Sequence, residues 1–145
     1  MIKSKHFPFY MDVARASANL SYAKRLKVGA VIVTNTGAMY HGYNGTLPGF
    51  ENNCEIILND ELITDEDTVV HAEQNALYKM LNEGVSAKGA TVFIAHSCCK
   101  QCAKMLISAG VERVVYDEVY RDTKPLDTLK MAGIIVEKHE HVRPC

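Results

Sequence analysis

Two short segments constrain this chain more than anything else in it: His71-Ala72-Glu73 and, further along, Cys98-Cys99-Lys100-Gln101-Cys102. One imidazole and two thiolates suit a tetrahedral zinc ion whose fourth position stays open to water, the arrangement of catalytic rather than structural zinc. A carboxylate two residues from the histidine is placed to move that water's proton. The donors can meet only if the fold sets the starts of two helices side by side. The run Glu73 to Leu81 consists mostly of good helix formers, with Gly84 placed to stop it. His71 is then at a helix N-terminus and Glu73 in its first turn. Lys88-Gly89 leads into Ala90-Thr91-Val92-Phe93-Ile94-Ala95, an apolar, partly β-branched run of strand length. Cys99 to Ile107 reads as a second helix ending at Gly110, and Cys99 and Cys102, at i and i+3, share a face at its start. Val111 and Val114-Val115-Tyr116 suggest another strand. This alternation predicts an α/β fold with the ligand groups where helices begin beyond strand ends, the edge at which open α/β sheets bind ligands.

Charge balance supports the catalytic reading. A zinc ion with two thiolates and a neutral imidazole carries no net formal charge, so it acidifies its water less than an all-histidine site. Free N–H groups and two helix dipoles favour the thiolates, and Glu73 supplies the missing basicity. Other readings exist for each part. A lone His before a helix can be a cap, and a CxxC can be a redox pair or half of a structural zinc site. His41, His96, His139 or His141 could complete such a site. A redox pair has no use for His-Ala-Glu, however, and a structural site takes four protein ligands. Cys98 competes as a ligand, but Cys98 and Cys102 have the looser four-residue offset; a small buried filler is the expectation for Cys98.

The chain has 145 residues, read as one domain over 1–145, long enough for its own core. No run approaches the ~18 apolar residues that cross a membrane, and Met1-Ile2-Lys3-Ser4-Lys5-His6 lacks the apolar stretch of a secretory signal. Five cysteines, three of them clustered within five residues, do not resemble a disulfide framework, so a reducing cytoplasm is expected. Cys54 is expected as a buried thiol and Cys145 as an exposed one. A net charge of −1 argues against a polynucleotide, whose binding normally shows as a basic face. The local basic density of Arg15, Lys24, Arg25 and Lys27 suits one phosphate or a short polyphosphate, or else is a solvated helix end.

Elsewhere the pattern predicts an amphipathic helix over Phe9 to Leu26 and a buried strand over Val28 to Val33. A turn at Asn35-Thr36-Gly37 then leads to a partner strand, Ala38 to Tyr43. Asn44-Gly45 begins a loop through Pro48-Gly49, with no regular structure expected before Thr68. The acidic stretch Asn59 to Asp67 reads as a loop or short helix. A peripheral helix, Pro125 to Met131, and a final strand, Gly133 to Glu137, close the chain.

The paired motifs resemble the H-x-E…P-C-x-x-C signature of zinc-dependent nucleobase deaminases, with Cys98 in place of Pro. In that chemistry hydroxide attacks C4 of a cytosine, while the glutamate protonates the ring nitrogen and later the leaving ammonia. A closer resemblance, from about Met11 to Val136, is to the deoxycytidylate (dCMP) deaminases. It is carried by Arg15-Ala16-Ser17-Ala18-Asn19, Val28 to Val33, Gly42-Tyr43-Asn44-Gly45-Thr46, Asn53-Cys54-Glu55, His71 to Ala76 and Gly110 to Tyr116. It implies the cytidine-deaminase-like fold, a three-layer α/β/α arrangement around a central mixed five-stranded sheet. It implies dCMP plus water giving dUMP plus ammonia, feeding thymidylate synthesis. It also implies a hexamer, activated by dCTP and inhibited by dTTP, with Mg²⁺ accompanying the nucleotide.

Through the resemblance, His71, Cys99 and Cys102 match the Zn²⁺ ligands and Glu73 the proton shuttle. Asn44 matches a nucleotide contact, although its spacing alone reads as a plain type I′ turn with Gly45. Ala72 N–H and Ser97 C=O match backbone groups that hold the cytosine edge. Arg25 and Lys27 are phosphate candidates, and Tyr120 is a substrate candidate or core packing. Gly42, Tyr43, Asn44 and Gly45 resemble the effector-binding segment. The departures are Cys98 for Pro, His96 at a place usually apolar beside the pocket, and Lys79 and Asn82 where some relatives place an aromatic and an Arg. They bear on base specificity, including a 5-modified cytosine, and on effector response. The competing classes are a deaminase of free cytidine, deoxycytidine, cytosine or guanine, a polynucleotide-editing deaminase, and a non-catalytic zinc or nucleotide-binding module.

Overall fold

The computed structural model describes residues 2–140, so His141 and Cys145 lie outside the described residues. After a short 3-10 turn at Ser4–His6 comes helix α1 (Phe7–Ala18), whose Pro8 lies in the first turn, where a missing N–H costs nothing. Strands β1 (Gly29–Val33) and β2 (Met39–Tyr43) follow. Four short strands, β3 (Gly45–Thr46), β4 (Glu55–Leu58), β5 (Glu61–Thr64) and β6 (Val69–Val70), precede helix α2 (Ala72–Glu83). Then come β7 (Thr91–His96), α3 (Lys100–Ser108), β8 (Arg113–Glu118), α4 (Lys124–Met131) and β9 (Ile135–Lys138). The central sheet runs β2-β1-β7-β8-β9. β1 pairs antiparallel with β2 and β7, whereas β7–β8 and β8–β9 are parallel, so the sheet is mixed as expected.

Alternate strand residues feed two cores, because successive side chains leave a strand on opposite faces. Val31, Val33, Phe93 and Val115 meet Phe7, Tyr10, Met11 and Ala14 of α1. Ile32, Val92, Ile94 and Val114 meet α2, α3 and α4 on the other face. These are the three layers of the expected α/β/α fold. Two glycines set the closeness of the packing. A Cβ on Gly29 would lie 1.8 Å from the Ala14 carbonyl oxygen, and one on Gly42 would lie 2.3 Å from that of Ala72. Each helix touches the sheet where only hydrogen fits.

Two expectations are corrected. The first helix ends at Ala18, not Leu26. Side chains take over the backbone groups that helix would have paired: Asn44 accepts from Val28 N and donates to Leu26 O, and Glu55 accepts from the N–H groups of Lys24 and Arg25. The stretch from Asn44 to Thr68 is not free of regular structure. β4 and β5 form a hairpin whose turn residues, Asn59 and Asp60, both have positive φ (51° and 62°). A two-residue turn of this hand requires that conformation, and Asn and Asp tolerate it. The acidity of the surrounding stretch, Asp60 to Asp67, masked a hairpin signal in Ile56-Ile57-Leu58 and Leu62-Ile63.

Candidate active site

His71 is the N-cap of α2, in extended backbone, and donates its N–H to Gln74 Oε1 at 2.8 Å. Gly84 ends this helix in the left-handed conformation (φ 70°), as its position predicts. Cys99 is the N-cap of α3 and Cys102 lies in its first turn. Parallel pairing of β7 and β8 is what needs α3 as a crossover, and α2 feeds back into the sheet at β7. The two helix starts therefore open on the same side of the sheet.

Both Cys99 Sγ and Cys102 Sγ lie 3.4 Å from His71 Nδ1. The donor atoms of the three residues all fall within 4.8 Å of one another. Tetrahedral zinc with ordinary bond lengths needs about 3.6 Å between a sulfur and a nitrogen ligand and about 3.8 Å between two sulfurs. The donor set fits that ion. Among the described residues no other His, Cys, Asp or Glu joins the cluster, so His41, His96 and His139 do not close it into a structural site. The three donors perturb one another's protonation. The Cys99 thiol is lowered to about 3, chiefly by the hydrogen bond from Cys102 and also by His71, against the opposing effect of burial. Cys102 is raised, first by its bond to Cys99 and then by burial. His71 is raised, mainly by its bond to Cys99. A divalent cation would replace the protons of these donors.

Cys98 is buried, and that burial pushes its thiol up to about 12, with the charges of Glu73 and Cys99 adding to the effect. It stays a neutral filler, as expected, and not a competing ligand. Glu73 is only 3% exposed. Burial raises its carboxyl above the ordinary range, against bonds from its own N–H and from Cys102 that pull it down. Burial that favours the protonated form suits a carboxyl that must hold a proton before handing it on.

These side chains open into a cavity of about 490 Å³. Of the sequence-predicted substrate residues, Arg25, Asn44, Ala72, Ser97 and Tyr120 all line it; Lys27 does not. Arg25 is exposed and donates to Thr64 Oγ1 at 3.1 Å. Ala72 is the first residue of α2, so its N–H is one of those a helix leaves unpaired. Ser97 is buried just beyond β7, and its Oγ accepts the Tyr120 N–H at 2.8 Å. Tyr120 therefore lines the cavity and does not belong to the buried core. His96 lies beside the pocket, its Nδ1 buried and without a hydrogen-bond partner. Neither Asn44 nor Gly45 has positive φ, so the type I′ turn is wrong; Asn44 instead uses its amide to brace residues 26 and 28.

Gly42, Tyr43 and Gly45 line a second cavity, of about 330 Å³, with Tyr22, Lys79 and Asn82 among its other walls. Asn44 belongs to the first cavity, so the four-residue segment is divided between the two. Gly42 serves helix packing, a reason its sequence context does not show. Sequence reasoning missed Arg121, which lines the main cavity and stacks its guanidinium 5.0 Å from the Tyr120 ring centroid. It also assigned no role to Glu55, whose signal lay in the Asn53-Cys54-Glu55 motif.

Residues 5–118 match the cytidine and deoxycytidylate deaminase zinc-binding region. The chain belongs to this deaminase family. It is 33% identical over 138 residues to ComE operon protein 2 of Bacillus subtilis, covering 91% of this chain and 70% of that protein. It is 30% identical over 149 residues to the deoxycytidylate deaminase of Enterobacteria phage T4, covering 76% and 77%. The crystal structure of the dCMP deaminase from cyanophage S-TIM5, in complex with dCMP and dUMP, superposes with a TM-score of 0.87 at 42% identity. It covers 96% of this chain and all of that one. The family match takes in α1 through β8, and so includes every residue of the His-Cys-Cys cluster and Glu73.

Proposed function

We propose that this deaminase, one domain over residues 1–145, hydrolyses dCMP to dUMP and ammonia and so supplies dUMP for thymidylate synthesis. The observation that carries the reading is the buried Glu73 carboxyl beside the His71, Cys99 and Cys102 donors, at a cavity large enough for a mononucleotide. The 42%-identical cyanophage enzyme, solved with dCMP and dUMP, supports the choice of substrate.

His71, Cys99 and Cys102 would hold a zinc ion, which when bound would supply an activated water at neutral pH. Glu73 accepts the proton of the attacking water and passes it to N3 of the cytosine as the new C4–O bond forms. The same carboxylate then takes the proton of the new C4 hydroxyl and delivers it to the exocyclic nitrogen; the C4=O bond forms, the C4–N bond breaks and ammonia leaves. Ala72 N–H and Ser97 C=O hold the base edge, and their position at element ends leaves them free to do so. Asn44 faces the sugar and phosphate with the N–H that it does not give to Leu26. Arg25 takes the phosphate, and Tyr120 borders it. Lys27, outside the cavity, has no part.

The alternative substrates are unphosphorylated cytosine compounds and 5-modified dCMP, and His96 is the group that bears on the second. Ammonia release from dCMP and deoxycytidine separates the first case: a strong preference for dCMP is expected, and equal rates would defeat phosphate recognition. A panel of 5-substituted dCMPs separates the second. The second cavity is proposed as the effector site, with Gly42, Tyr43 and Gly45 at its wall and Mg²⁺ accompanying dCTP as activator or dTTP as inhibitor. If neither triphosphate alters rate or cooperativity, that assignment is wrong. A hexamer accords with the exposed apolar side chains Ile57, Leu81 and Met131, 75%, 73% and 88% exposed, and sedimentation tests it. A reducing cytoplasm keeps the two sulfur ligands available; among the described residues no helix is long and apolar enough to cross a membrane.

A further inference from the structure

The motif Asn53-Cys54-Glu55 has no part in the chemistry above, yet its last residue is a buried carboxylate lining the same cavity as Glu73. Glu55 is 5% exposed. Its Oε1 accepts the backbone N–H of Lys24 at 2.7 Å and that of Arg25 at 3.1 Å. Its Oε2 is buried with no hydrogen-bond partner. A carboxylate oxygen left unmet in this way is costly, and in a binding cavity it is an acceptor awaiting a donor from outside the chain.

The chemistry of dCMP narrows that donor. Its exocyclic amine is at the reacting carbon, beside Glu73. Its phosphate is negative and would be repelled by a carboxylate. One strong donor remains, the hydroxyl at C3′ of the deoxyribose. We propose that Glu55 recognises this 3′-hydroxyl through Oε2, an inference that rests on the nucleotide reading of the site. The other oxygen of the carboxylate tethers the backbone of Arg25, so one side chain aligns the sugar contact with the phosphate contact. The same carboxylate excludes polynucleotides. Within a strand the 3′ oxygen is esterified, has no proton to give and carries a phosphate that Glu55 repels.

The test compares kcat/KM of the zinc-loaded protein for dCMP, 2′,3′-dideoxycytidine monophosphate and deoxycytidine 3′,5′-bisphosphate. The first is expected to exceed the second by about 10- to 100-fold, the size of a hydrogen bond to a charged group, and the third to be poorer still. In Glu55→Gln the preference over the dideoxy compound should shrink about tenfold and the bisphosphate should gain relative to dCMP. Calorimetric binding of dUMP and its 3′-deoxy analogue should show the same narrowing without turnover. A purely bracing role for Glu55 would weaken all substrates alike; an unmoved ratio therefore overturns the proposal. If Glu55→Gln fails to fold, the wild-type ratio decides, and a value near one overturns it. Turnover of no cytosine nucleotide would bring down the proposed function together with the sugar contact; turnover of dCMP with no 3′ discrimination would bring down the sugar contact alone.

Discussion

At the starts of α2 and α3, four functional side chains come from two short stretches, 71–73 and 99–102, each held by its own helix. Much of the remaining cavity is assembled differently. Arg25, Asn44, Glu55 and Thr64 come from separate segments, joined by bonds from side chains to distant backbone: Glu55 to Lys24 and Arg25, Asn44 to Leu26 and Val28. In the first region local helix geometry aims the reacting groups. In the second, an irregular segment is kept in shape by polar side chains that also line the cavity. Under the proposed function, chemistry is thus placed on rigid elements, and recognition on a segment whose form depends on the rest of the fold.

Substitutions in the two regions should therefore fail in different ways. The largest effect is expected at the metal corner. Glu73→Gln should lower kcat by about 10²- to 10⁴-fold while zinc content, measured by metal analysis, is unchanged. Cys102→Ser should lose both; a Glu73→Gln protein with normal turnover would show that the corner is not catalytic. Next comes Gly42→Ala, which places a carbon 2.3 Å from one backbone atom of α2 and 2.6 Å from another. It should cost at least about 1–3 kcal/mol of unfolding free energy in urea titration, since α2 must move off the sheet. Asn44→Ala removes two side-chain to backbone bonds and should cost about 1–3 kcal/mol, with zinc still bound. Loss of zinc in that variant would erase the distinction between the regions. Smallest is Arg25→Ala, expected to raise KM for dCMP about tenfold with kcat little changed, while Lys27→Ala leaves both where they were.

The metal corner was legible because its determinants are local. An i, i+2 pair before a run of helix formers and an i, i+3 pair at another helix start fix relative positions within each segment, whatever the rest of the chain does. The strands that flank the site were legible too, since β1, β7 and β8 are apolar runs of strand length; their order in the sheet was not. Nor was the end of α1. Asn19 to Leu26 reads as a continuation of the helix, whereas the carboxylate of Glu55 and the amide of Asn44, arriving from 16 to 31 residues away, take up backbone groups of residues 24–28. The β4–β5 hairpin was hidden because Asn59-Asp60 reads first as charge and only second as a pair able to hold positive φ.

By itself, then, the sequence determined the helices and strands that flank the site, the His71, Cys99 and Cys102 donor set and the placing of Glu73 beside it, because periodicity and short spacing act through backbone geometry alone; the three-layer arrangement followed only from the family resemblance. The tertiary structure decided how the rest of the pocket is built. It separated Asn44 from Gly42, Tyr43 and Gly45 into different cavities, removed Lys27 from the site, added Arg121 to it and left one oxygen of Glu55 without a partner. Those outcomes depend on contacts between residues far apart in the chain, and spacing along a sequence carries no measure of distance in space once the connection is long and irregular.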